Sequence, residues 1–181
     1  MVGELQVVNR NLVRSIAVCF VLFVATTSVA HAMTRDETRD ALHDTLTAAG
    51  TLSDVGATFR QSTKNPYNFV ASIDDRLTYS DSLEVVISIT KSNTIGFRIY
   101  PHSKGGYINI RKASDPTGLM TKLLWFSDQN FLFWGADDGG DVFTGYTITL
   151  ESGYPKEAIT IVVRSIRNTD KFVGQLQPYL K

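Results

Sequence analysis

Two histidines, one acidic turn and a run of aromatic rings have the side chains in this sequence best suited to chemistry. His102 lies in Tyr100-Pro101-His102-Ser103-Lys104 beside the turn Gly105-Gly106. A loop histidine titrating near neutrality can move a proton, so Tyr100, His102 and Tyr107 are the candidate lining of a small-ligand pocket between sheet and helices. His43 falls in a helical stretch and reads as an exposed helical residue. The turn Asp137-Asp138-Gly139-Gly140-Asp141 sets three carboxylates within five residues. Such a group could hold a hard cation such as calcium and serve a metal-dependent enzyme. However, its spacing is not that of an EF-hand loop, and paired glycines are what a tight hairpin requires. The sequence has no H-E-x-x-H, no histidine pair at helical spacing and no G-x-S-x-G. The expectation is therefore a non-enzymatic protein without a cofactor or metal.

Seven aromatic residues, Trp125, Phe126, Phe131, Phe133, Trp134, Phe143 and Tyr146, lie close together in the chain. On a strand, Phe131 and Phe133 face one way while Leu132 and Trp134 face the other. Either both faces are covered within the fold, or one is exposed and Trp134 marks a surface for a partner or for self-association. Trp125, Phe131, Phe133, Trp134 and Tyr146 are the candidate partner-binding residues. On the exposed reading, Trp134→Ala weakens association and leaves the fold intact.

The elements that must position these residues follow from periodicity. Thr34-Arg35-Asp36-Glu37 is a capping box, with Leu42, Leu46 and Ala49 on one helical face over 34–49 and Gly50 closing the helix. Val55, Ala57 and Phe59, then Tyr67, Phe69, Ala71 and Ile73, predict two strands around an Asn65-Pro66 turn. Leu83, Val85, Ile87 and Ile89 alternate with Glu84, Val86 and Ser88. Ile95, Phe97 and Ile99 oppose Arg98 and Tyr100, and Tyr107-Ile108-Asn109-Ile110 resumes after a glycine turn. This is an antiparallel meander. Ser114 or Asp115 ahead of Pro116 opens a helix through Leu119, Met120, Leu123 and Leu124. Phe131 to Trp134 and Val142 to Glu151 predict a hairpin. Pro155 to Leu180 keeps a helical stripe (Ile159, Val162, Ile166, Val173, Leu176, Leu180), although 157–166 is β-branched enough to suit a buried strand. The order predicts an α+β domain with helices packed on one face of an antiparallel sheet.

The C-terminal half, with Leu123-Leu124-Trp125-Phe126, Gln129-Asn130, Phe131-Leu132-Phe133-Trp134, the turn from Asp137 to Asp141, Tyr146 to Glu151 and a final long helix, resembles the YbjN-like family over about residues 115–180. That family is similar in fold to the type III secretion chaperones. The resemblance implies a helix-covered antiparallel sheet, no enzymatic activity, frequent dimerisation and function through binding other proteins.

Compartment is read from residues 1–32, where Arg10 and Arg14 precede the apolar run Ile16 to Ala25 and the triplet Ala30-His31-Ala32. A basic start, a short apolar middle and an A-x-A site predict a cleaved secretory signal peptide, a periplasmic destination and no stable membrane span after cleavage. The single cysteine, Cys19, lies in that segment, so the remaining domain, 33–181, would have neither disulfide nor thiol. With 18 basic and 18 acidic residues, the chain lacks the basic excess of a nucleic-acid binder. The sequence thus predicts an exported α+β module that binds a protein partner or itself.

Overall fold

The computed structural model describes residues 33–130 and 132–180; the predicted signal segment and Phe131 lie outside the described residues. Helix α1 (Arg35–Gly50) starts at the capping box as expected, with Glu37 N–H donating to the Thr34 hydroxyl and the Glu37 carboxylate accepting from Thr34 N–H. Gly50 is its last residue, and its role is close approach: a Cβ there would sit 2.2 Å from the Ala57 carbonyl. Val55, Ala57 and Phe59 are buried, but the strand expected there shrinks to β1 (Arg60–Gln61). Most of the segment before it is turn and extended chain.

The meander follows as β2 (Asn68–Ile73), β3 (Ser82–Ile89) and β4 (Thr94–Ser103). A two-residue β5 (Gly106–Tyr107) pairs with the end of β4, and Ile110–Lys112 forms a 3-10 turn where a longer strand was expected. Helix α2 (Pro116–Asn130) is capped by Asp115, whose carboxylate accepts from Gly118 N–H. The hairpin is β6 (Phe133–Ala136) and β7 (Val142–Thr149). The β-branched segment is helical: α3 (Lys156–Ser165) continues through a 3-10 turn at Ile166–Asn168 into α4 (Thr169–Leu176). Helical spacing prevails over β propensity there because Ile159, Val163 and Ile166 fall on one buried stripe against the sheet.

All pairings are antiparallel, in the order β1-β2-β3-β4-β7-β6. Side chains alternate between faces along each strand, so register assigns every residue to a side. Ala71, Val85, Ile99, Thr144 and Trp134 form one cross-strand row. That side is covered by helices: Leu42, Leu46, Ile159 and Val163 pack on β2 to β4, and Leu119, Leu123, Phe126, Val173 and Leu176 pack around Trp134 and Val142. The fold is the α+β arrangement expected; among the described residues one face of the sheet is covered by helices and the other carries none, and this second side is the open face. Among the described residues, no helix is long and apolar enough to cross a membrane.

A buried carboxylate ties helix α4 to the connection between β2 and β3. Asp170, 6% exposed, accepts from the backbone N–H groups of Thr78, Tyr79 and Ser80 at 2.7, 3.0 and 2.7 Å. Three donors converging on one carboxylate satisfy a buried charge that would otherwise be costly to desolvate.

Candidate functional site

The parity that buries Trp134 exposes Phe133. Phe133 pairs with Gly145, and Gly145 with Arg98, so all three belong to the face without helices. Phe133 is 61% exposed, whereas Trp134 is 3% exposed, wedged against Phe126 at 5.4 Å and Phe172 at 5.6 Å between ring centroids. This corrects the expectation that Trp134 marks a surface. Its neighbour carries the exposed ring, because helix α2 and the C-terminal helix α4 claim the side to which Trp134 points.

The remaining aromatic candidates separate in the same way. Tyr146 is partly buried on the helix-covered side, its hydroxyl 3.5 Å from the Ser165 hydroxyl, and so is no part of an open surface. Trp125 is 56% exposed on α2, beside exposed Leu124, with the Lys122 ammonium 5.9 Å from its ring. It is not on the open sheet face, because α2 packs on the opposite side. Phe131 lies outside the described residues.

On the open face, Phe143 is the hub. Its ring lies 5.8 Å from Phe133 and 5.5 Å from Tyr100, and the Arg98 guanidinium sits 4.6 Å from its centroid. A guanidinium over an aromatic face is held by the ring quadrupole, an attraction that uses none of its N–H donors. Gly145 keeps this part of the surface low, since a Cβ there would stand 2.5 Å from the Phe97 carbonyl. Val86, Ser88, Thr94, Gly96, Arg98 and Thr147 contribute to an open groove of about 1000 Å³. Arg98 and the glycine floor were not among the expected site residues. Their only sequence signal is the alternation Gly96-x-Arg98-x-Tyr100 opposite buried Ile95, Phe97 and Ile99.

Tyr100, His102 and Tyr107 are brought together, but on the open face and not between sheet and helices. Tyr100 and His102 pair with Glu84 and Ser82, whose side is the helix-free one. The Tyr107 ring lies 4.2 Å from His102 and 5.8 Å from Tyr100, and its hydroxyl donates to the Glu84 carboxylate at 2.6 Å. That bond to an anion, aided by partial burial, pushes the Tyr107 hydroxyl up to about 12. His102 Nε2 is buried without a hydrogen-bond partner, 3.8 Å from the same carboxylate. A separate cavity of about 450 Å³ touches Tyr107 and is lined by Lys104, Asn109, Lys112 and Asp141; Tyr100 and His102 are not in its walls.

Two of the three carboxylates of the acidic turn are spent internally. Asp137 accepts from the N–H groups of Gly139 and Asp141 at 2.9 and 3.0 Å, and Asp141 accepts from the Asn109 amide at 2.7 Å. Gly140 has φ +86°, the left-handed conformation that the turn demands. Arg111 donates to the Asp138 carbonyl at 2.8 Å. Among the described residues, no three His, Cys, Asp or Glu side chains gather where they could hold a metal ion. The turn is built as a hairpin brace.

No family model matches the chain, and no curated protein is found to match it.

Proposed function

We propose that this protein is an exported, non-enzymatic binding module, and that it engages a protein partner through the open face of its sheet. The observation that carries the reading is Phe133, an exposed ring on an edge strand whose centroid lies 5.8 Å from the Phe143 ring under Arg98, on the open face. Large exposed aromatics next to arginine are the composition of interface anchors. The basic and apolar N-terminal segment supports export, and the resemblance to the YbjN-like family supports a binding role. The groove's side chains supply hydroxyls, rings and one guanidinium, a set suited to recognition.

The test is a photo-crosslinking residue placed at Phe133, compared with the same residue at Ile161, which is 67% exposed on α3. Adducts with a partner or a second copy are expected from position 133 and absent from position 161. Equal labelling from both positions, or none from 133, overturns the assignment of the sheet face.

A further inference from the structure

One cross-strand row of the open face runs Arg60, Val70, Val86, Arg98, Gly145, Phe133, from one edge strand to the other. Arg60 and Arg98 are exposed, and the two valines between them are half-buried. Neither arginine has an ion-pair partner among the described residues, although Arg39, Arg76, Arg164 and Arg167 all do. The carboxylate on this face nearest the row, Glu84, is occupied by the Tyr107 hydroxyl and faces His102. The row therefore presents two uncompensated guanidiniums separated by an apolar step. Arg98 is further held in place by Phe143 below it and the Tyr100 hydroxyl at 3.4 Å.

Strands lie about 4.8 Å apart, so three strand steps put the Arg60 and Arg98 backbones roughly 14 Å from each other. Along an extended chain, same-face residues recur about every 7 Å, and residues i and i+4 are also separated by roughly 14 Å. A segment lying across the strands with carboxylates at i and i+4 and an apolar residue at i+2 matches the row in charge and spacing. Guanidiniums bind carboxylates through paired N–H donors, which adds geometric selectivity to the charge.

We propose that the partner of the open face is an extended acidic segment of another protein, with two carboxylates four residues apart on Arg60 and Arg98 and an apolar side chain between them over Val70 and Val86. This rests on the reading of the open face as the binding surface and adds the chemistry of what binds.

The experiment uses the full chain and fluorescein-labelled synthetic peptides with Glu at i and i+4 around Val at i+2, read by fluorescence anisotropy. Controls replace both Glu by Gln or by Lys, or move the second Glu to i+3, which turns it to the other side of an extended chain. The i, i+4 peptide is expected to bind most tightly and to weaken as ionic strength rises from about 0.05 to about 0.5 M. Arg98→Gln and Arg60→Gln are each expected to weaken binding about tenfold. Both positions are exposed, and an unchanged circular dichroism melt establishes that each variant folds. Equal binding of the Gln peptide, or wild-type affinity in both arginine variants, overturns the acidic-segment proposal while leaving the face as a binding surface. Arginine-dependent binding to vesicles of anionic phospholipid, without peptide binding, also overturns it and assigns the row to a membrane surface. Failure of every probe together with no crosslinks from position 133 removes the proposal and the binding-face reading at once.

Discussion

Replacing Trp134 and Phe133 in turn separates the core from the surface with one residue of sequence between them. Trp134 is 3% exposed, packs on Phe126 and Phe172, and those two rings contact each other at 5.0 Å. Removing a buried aromatic side chain costs about 3–5 kcal/mol in lost transfer energy and residual cavity. The Trp134 indole N–H, however, is buried with no acceptor. Deleting it relieves an unsatisfied donor, which returns about 1–2 kcal/mol. The net expectation for Trp134→Ala is a loss of about 2–3 kcal/mol, or a melting temperature lower by about 5–10 °C for a domain of this size. Trp134→Phe keeps the ring contacts and removes the orphan donor, so it stays within about 1 kcal/mol of wild type. Phe133→Ala, which loses one partial aromatic contact at an exposed site, costs about 1 kcal/mol or less. Urea denaturation followed by far-ultraviolet circular dichroism gives all three values, and crosslinking or peptide binding gives the functional effect of Phe133→Ala. A Trp134→Ala variant as stable as wild type, or a Phe133→Ala variant destabilised as much as Trp134→Ala is expected to be, refutes the assignment of faces.

Asp170→Ala removes the acceptor shared by three backbone donors, and a loss of about 3 kcal/mol is expected. Hydrogen exchange at Thr78, Tyr79 and Ser80 reports it directly: these amides should exchange faster in the variant, and unchanged protection there would count against the clamp. For Tyr107, the folded-state pKa of about 12 lies above its ordinary 10.0, so the folded protein holds the phenolic proton more tightly than the unfolded chain. The stabilisation is complete below pH 10.0 and is lost as pH rises through about 12. The stability difference between wild type and Tyr107→Phe should therefore narrow over that interval, and a difference that stays flat would argue against the Glu84 bond as its source.

Local patterns determined most of the elements. The capping box at Thr34 and Glu37, the alternation of Leu83 to Ile89 and the proline start of α2 each rest on interactions within a few residues, and these need no tertiary partner to be recognised. For 157–166 the stripe read as Ile159, Val162 and Ile166 competed with β-branched composition; the segment is helical, with Val163 rather than Val162 fully buried beside Ile159 and Ile166, because burial of one continuous face is worth more than the small propensity differences among these residues. Alternation also determined that Phe133 and Trp134 point in opposite directions. It did not determine which direction was covered, because the period of a strand is the same on both sides. Helix placement decided that, by closing Phe126 and Phe172 over Trp134 and leaving Phe133 in the open. The same holds for the arginine row. Arg60, Val70, Val86 and Arg98 are far apart in the chain, and only strand order and register align them, since cross-strand neighbours carry no local signature in the sequence.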